Sequence, residues 1–207
     1  MRNQIFMKDE KDIVGKPMTD LLFDSELPFS LQKLSPYQWT PVFIVKRTWE
    51  FLKGKEVRSI MDLGSGLGKF CIVLSFLAED QFPIYGCEDR EELLQMATSL
   101  QMKWKRKSVC FQKTNFLTSF PYGHSHYYCF NPLYETMKGS HSIDDTKVKS
   151  AKLFLQNIQT LKNHLYLCPK GTKLITYHGF GGSVLPGYIV IRKENDDLGE
   201  WMVWERV

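Results

Sequence analysis

The chain has 207 residues, 27 Lys and Arg against 23 Asp and Glu, and five cysteines. That length suits one domain with a full core, and the mild positive charge admits an acidic partner without requiring one. No apolar run approaches membrane-spanning length, Met1-Arg2-Asn3-Gln4 lacks the apolar core of a signal peptide, and the cysteines form no CxxC pair, so we expect a cytoplasmic protein with no membrane, disulfide or zinc function.

Residues 1–36 are mixed and polar, with Pro17, Pro28 and Pro36 punctuating them. They read as an irregular or partly helical N-terminal extension positioned to cover a cleft. Residues 37–207 read as the domain proper. In Tyr37-Gln38-Trp39-Thr40-Pro41, Thr40 suits a helix N-cap and Pro41 the first turn. Val42, Val45, Trp49 and Leu52 then repeat at helical spacing up to Lys53, and Gly54 suits the stop.

Residues 57–68 organise the rest. Ile60, Met61 and Leu63 make a short apolar run that reads as a buried parallel strand, closed by Asp62 and by Gly64, Gly66 and Gly68 at alternate positions. A mostly apolar helix follows from Lys69 to Ala78. Strand, glycine turn and helix is how open α/β sheets seat a nucleotide-like ligand at the carboxyl ends of their strands. The dinucleotide fingerprint G-x-G-x-x-G would require glycine at 69, where Lys69 stands. A nicotinamide enzyme is therefore disfavoured.

Further strands are expected over 82–88, 109–111, 127–130 and 173–178. Helices are expected over 91–107, with Leu93, Met96, Ala97, Leu100 and Trp104 buried, and over 147–165. Tyr188–Ile191 and Trp201–Trp204 flank a polar turn and read as a closing hairpin. Lys103-Trp104-Lys105-Arg106-Lys107 reads as a solvated helix end rather than a phosphate-binding patch. His178, in a glycine-rich loop, reads as incidental. Cys71, Cys87, Cys110 and Cys129 fall in apolar runs, whereas Cys168 falls in a loop.

Asp62-Leu63-Gly64-Ser65-Gly66-Leu67-Gly68 resembles the first motif of class I S-adenosylmethionine-dependent methyltransferases. The resemblance extends over about residues 40 to 207. It implies a Rossmann-like methyltransferase fold: α/β, a mostly parallel seven-stranded sheet with one reversed edge strand, and helices on both faces. It implies S-adenosyl-L-methionine as cofactor, with Asp62, Gly64, Ser65, Gly66 and Gly68 around it. Glu88, ending the second strand, would accept from the ribose hydroxyls, with adjacent Asp89 as its rival for that role. Asn115, followed by Phe116, would read the adenine amino group, although an asparagine turn explains the same residue. Thr40 would lie near the methionine end, although capping alone explains it.

Asn131-Pro132-Leu133-Tyr134 resembles the N-P-P-[YF] motif of amino-group methyltransferases, with Leu133 in place of the second proline. There the Asn side chain and the proline carbonyl hold the target nitrogen and the aromatic stacks on a planar substrate, which would make Asn131, Pro132 and Tyr134 catalytic. Methyl transfer is an in-line attack on an already activated sulfonium, so positioning a neutral lone pair is the main task. The implied acceptor is a nitrogen of a protein, an RNA or a small molecule. Double-stranded DNA is disfavoured because reading and flipping a base takes more chain. The competing reading is a catalytically silent subunit on the same fold.

Overall fold

A computed structural model describes residues 18–137, 139–144, 146–179 and 184–207. Three short helices, α1 (Asp20–Asp24), α2 (Phe29–Gln32) and α3 (Ser35–Gln38), precede α4 (Val42–Leu52). Then follow β1 (Ile60–Leu63), α5 (Lys69–Leu77), β2 (Ile84–Glu88), α6 (Glu91–Lys103), β3 (Val109–Lys113) and β4 (His126–Phe130). A single 3₁₀ turn at Tyr134–Thr136 leads to α7 (Ala151–Tyr166), β5 (Lys173–Tyr177), β6 (Tyr188–Asn195) and β7 (Glu200–Arg206).

The seven strands lie in the order β3-β2-β1-β4-β5-β7-β6. β1 to β5 pair parallel, and β7 runs antiparallel to both β5 and β6. The one reversed strand thus sits between β5 and the edge strand β6. The hairpin forms because Asp196 Oδ1 accepts from Leu198 N and Gly199 N, an Asx-type turn.

All four residues of β1 are buried, as a central parallel strand requires. Successive side chains point to opposite faces. Ile60 joins the core with α4, α5 and α6, whereas Met61 and Leu63 join the core under α7. Strand order reverses between β1 and β4, the two neighbours at the centre of the sheet, and an open α/β sheet presents its ligand crevice at that point.

Several local expectations are corrected. Thr40 is not the cap of α4: the N-cap is Pro41, which has no side-chain acceptor, and Asp20 Oδ1 accepts from Val42 N instead. Thr40 Oγ1 accepts from the Tyr128 hydroxyl inside the core. Residues 1–17 lie outside the described part of the chain. Residues 18–38 do not trail off the domain, since Phe23 and Leu27 are buried in the main core and Phe23 meets Trp104 edge-on. Cys110 is exposed because β3 is an edge strand, and loop residue Cys168 is buried. Among the described residues, no helix is long and apolar enough to cross a membrane.

The basic run after α6 behaves as a helix end. Trp104 is 1% exposed, Lys103 pairs with Glu26 at 2.6 Å, and Arg106 pairs with Asp80 and lies over Phe76.

Candidate active site

The glycine turn leaves β1 and passes over the end of β2, where Cys87 O accepts from both Gly64 N and Ser65 N. Its three glycines do three different jobs. Gly64 is exposed and borders the cleft, with Phe116 opposite it. At Gly66 (φ +52°) a Cβ would stand 2.7 Å from the Trp39 indole, so the absent side chain makes room for that ring. At Gly68 (φ +74°) a Cβ would stand 2.3 Å from Phe111, so this glycine serves packing of α5 on the sheet and lies outside the cleft.

The N-terminal helices hold this turn from behind. Lys69, 2% exposed, donates to Asp24 Oδ1 at 2.9 Å and to the Ser35 hydroxyl, and pairs with Asp20 at 2.7 Å. A buried ammonium needs such partners to be tolerated. The residue that breaks the dinucleotide pattern therefore fastens residues 20–35 to the turn.

Glu88 ends β2 as a buried carboxylate. Its Oε2 accepts from Gly66 N at 3.1 Å, and its Oε1 accepts from Asp89 N and Arg90 N at 3.0 Å. Burial raises its pKa, while the backbone donation from Arg90 works against the rise. Between Glu88 and its rival Asp89, Glu88 is the one locked to the glycine turn. Asp89 instead receives Lys147 at 2.6 Å and Asn115 Nδ2 at 3.3 Å. Burial, the largest single influence, would raise the Asp89 pKa, but the hydrogen bonds to Lys147 and Glu88 and the charges of Lys147 and Arg90 together outweigh it and lower the value.

A cleft of about 260 Å³ opens where strand order reverses. Of the residues expected from sequence, Gly64, Gly66, Glu88, Asn115, Phe116, Asn131, Pro132 and Tyr134 all line it. Asp62, Thr40 and Ser65 instead line a small adjoining cavity, which shares Gly64, Trp39 and Phe130 with the larger cleft. Asp62 is 4% exposed, and burial pushes its pKa up to about 8, against the lowering effect of the Cys71 thiol 3.7 Å away. The buried Ser65 hydroxyl has no hydrogen-bond partner among the described residues.

Asn115 adopts the turn geometry: its Oδ1 accepts from Leu117 N at 2.9 Å, the oxygen expected to face an adenine amino group. Beyond β4 the backbone is unusual. Asn131 has φ +45° and Leu133 has φ +66°. A proline is fixed near −65°, so the departure from N-P-P-[YF] at Leu133 is conformational as well as chemical. The Asn131 side chain borders the cleft and makes no hydrogen bond among the described residues.

Sequence reasoning missed Arg90. Its guanidinium meets Glu135 at 2.5 Å, Asp144 at 2.8 Å and Glu88 at 3.9 Å. Glu135 Oε1 in turn accepts from Ile143 N at 2.6 Å. These contacts tie the end of β2 to residues 134–137 and 139–144, a strap whose Tyr134, Glu135, Thr136 and Ile143 border the cleft. At its far side the strap meets Tyr37 and Gln38: His141 stacks on Tyr37 with centroids 4.0 Å apart, and His141 O accepts from Gln38 Nε2 at 2.5 Å. An arginine beside two acids in sequence is ordinary, and partners 45 and 54 positions away leave no local signal. His178 stays outside the cleft, tilted against Phe130 and Tyr177.

No family model matches this chain, and no curated relative does. Solved structures do. A methyltransferase from Geobacter sulfurreducens is similar at TM-score 0.62 and 7% identity, over 95% of this chain and 94% of that one. An RNA methyltransferase from Salinibacter ruber, in complex with S-adenosyl-L-homocysteine, is similar at TM-score 0.58 and 16% identity, over 81% and 92%. TrmN from Thermus thermophilus is similar at TM-score 0.62 and 14% identity, over 84% of this chain and 52% of that one. The chain shares the Rossmann-like methyltransferase fold of these proteins.

Proposed function

We propose that this protein is an S-adenosyl-L-methionine-dependent methyltransferase acting on a nitrogen of a protein, RNA or small-molecule acceptor. The observation that carries the proposal is the convergence of Gly64, Gly66, Glu88 and Asn131 on one cleft at the point where strand order reverses. Two of these solved neighbours carry methyltransferase descriptions, and one of the two holds S-adenosyl-L-homocysteine. That supports the reading at the level of fold.

The residues fit the cofactor. Glu88 presents a carboxylate, held by three backbone N–H groups, where ribose hydroxyls would donate. The orphaned Ser65 hydroxyl and the desolvated Asp62 carboxylate border the adjoining polar cavity. An ammonium is the group that would relieve the cost of burying Asp62 ionised. Phe116, opposite Gly64, lines the cleft with an aromatic ring against which a purine could pack. When bound, the cofactor supplies an activated methyl group.

This chain's residues have two tasks. The Asn131 amide oxygen accepts a hydrogen from the acceptor nitrogen and so points its lone pair, easing the positive charge that develops on it. Tyr134 and the strap wall the acceptor from water, which strengthens that contact. Among the described residues, every carboxylate bordering the cleft already accepts from a protein donor, so no general base is assigned; a neutral nitrogen needs none to attack.

A catalytically silent subunit is the second reading, favoured by the Leu133 backbone. The open cleft beside Asn131 and Tyr134 counts against it. Incubation with a labelled methyl donor and fractionated cell extract tests the choice. Transfer of label to protein, RNA or small molecules is expected. S-adenosyl-L-homocysteine binding with no transfer to any fraction would leave the silent subunit.

A further inference from the structure

The end of the sheet away from the cleft carries a cluster of cations. Lys55, just past α4, donates from Nζ to Phe51 O and stands 3.8 Å from the centroid of the Phe51 ring. Phe51 packs edge-on against Trp201 with ring centroids 6.1 Å apart. Arg192, on the edge strand β6, lies over the Trp201 ring at 5.7 Å. Both rings are buried, so they make a fixed floor under the two cations. Lys173, the first residue of β5, completes the cluster from its cross-strand pair with Glu205 on β7 at 2.8 Å. None of these residues lines the cleft.

These cations press on one another. Partial burial lowers the Lys55 pKa, and the charges of Arg192 and Lys173 lower it further. His126, which opens β4 in register with Lys173, feels the same field. Burial pulls its pKa down to about 4, and Lys173, Lys55 and Arg58 push the same way. The nearby carboxylates are already taken, Glu205 by Lys173 and Glu194 by both Arg192 and Arg47. Glu56 is exposed and pairs with none of these cations among the described residues. Lys55, Arg58 and Arg192 are open to solvent, so the excess of positive charge is within reach of a ligand.

We propose that Lys55, Lys173 and Arg192, with Arg58 adding to their field, form a binding site for a phosphate group. An anion set among them turns their mutual repulsion into attraction. A phosphate directs its oxygens to different corners, so it can accept from two ammonium groups and a guanidinium fork at once, whereas the fork alone fills both oxygens of a carboxylate. The phosphate can come from a small phosphorylated molecule or from the backbone of single-stranded RNA, and both present this same oxyanion. The site uses no residue of the cleft and stands independently of the methyltransferase reading.

Calorimetry on the full chain at low ionic strength tests this with inorganic phosphate and, separately, with an oligouridylate. Phosphate should bind at 1:1. Lys55→Met keeps an unbranched stem over Phe51 and removes the charge, and should weaken phosphate about tenfold, the effect of one lost charge-assisted hydrogen bond. Arg192→Gln should do the same, and Arg192→Lys should restore binding in part, because an ammonium keeps the charge without the fork. Lys107→Gln, which removes one charge from the basic run after α6, should leave binding unchanged. An oligouridylate that binds at least about tenfold tighter than phosphate, with a salt slope reduced by about one in Lys55→Met, identifies RNA backbone as the source. Equal or weaker binding of the oligouridylate identifies a small phosphorylated molecule. Added phosphate should also move the Lys55 titration, followed by NMR at its ε carbon, to higher pH.

Phosphate binding unmoved by both Lys55→Met and Arg192→Gln would overturn the proposal. So would an equal loss in Lys107→Gln, which would reduce the effect to overall charge. Absence of binding by either probe, or a Lys55 titration that phosphate does not move, would overturn it as well.

Discussion

The two ends of the cleft are built by different means. At the cofactor end, short-range backbone geometry does the holding: the glycine turn is bonded to Cys87 O, and Glu88 is fixed by N–H groups of the turn and of the first residues beyond β2. At the acceptor end, long-range ion pairs do it, with Arg90 holding Glu135 and Asp144 and Asp89 holding Lys147 at the edge of the opening. Backbone contacts within a strand–turn–helix unit form with the fold. A strap held by side-chain charge can open without disturbing the sheet, as the least stable parts of a protein do. We expect the cofactor end to be rigid before ligand arrives and the acceptor end to be adjustable.

The largest effect should fall on chemistry at the acceptor end. Asn131→Ala should lower turnover by about 10²-fold, the scale of losing one preorganised polar contact, with little change in cofactor affinity. A transfer assay with the identified acceptor, run beside a cofactor titration, checks both halves. Wild-type turnover in that variant would reduce Asn131 to a turn residue.

At the cofactor end, Gly66→Ala should cost about 1–3 kcal/mol of stability, from a positive φ and a methyl 2.7 Å from the Trp39 ring. The glycines therefore do not all guard the ligand, and a large residue at 66 should unfold the turn rather than merely block the cleft. Thermal melts of Gly66→Ala and Gly66→Arg, both without ligand, measure this. Unchanged melting temperatures would show that Trp39 yields without cost.

Arg90→Ala sharpens the contrast between the ends. Residues 134–137 and 139–144 should lose amide-exchange protection while β1 and the glycine turn keep theirs. Arg90→Lys should restore it only in part, because one ammonium cannot span Glu135 and Asp144 as the planar guanidinium does. Equal loss of protection at both ends would erase the distinction.

A smaller, graded effect concerns pH. Asp62 has its pKa raised from 3.8 to about 8, so the folded, ligand-free protein prefers it protonated. This group should therefore cost stability progressively as pH rises from about 4 towards 8. A ligand ammonium favours the ionised form, so cofactor affinity should climb with pH over that range and level off above about 8. Calorimetry in buffers of different ionisation enthalpy should show proton release on binding at pH 6. Asp62→Asn should flatten the profile.

How much of this was legible in the chain itself follows the same division. Asp62, Gly64 and Gly66 lie within five residues of one another, and Glu88 lies one strand further on. A fully buried β1 and an apolar α5 leave a strong local pattern, so the parallel sheet and the turn could be read directly. Thr40 was misread as a cap because its hydroxyl is used by Tyr128, 88 positions away, while the true acceptor for α4, Asp20, lies 22 positions upstream. The separate jobs of Gly66 and Gly68 depend on Trp39 and Phe111, which only the folded chain brings near. The strap was illegible for the same reason: its clasp is Arg90, and a salt bridge leaves no periodicity in sequence.

The role proposed for Glu88 is to hold the ribose hydroxyls of the cofactor. Calorimetric titration of S-adenosyl-L-homocysteine into the wild type, Glu88→Ala and Asn131→Ala tests it most directly. Binding at 1:1 is expected to the wild type and to Asn131→Ala. A loss of about 10²-fold is expected in Glu88→Ala, the scale of two charge-assisted hydrogen bonds. No binding to a folded wild type, or equal affinity in all three proteins, would contradict it.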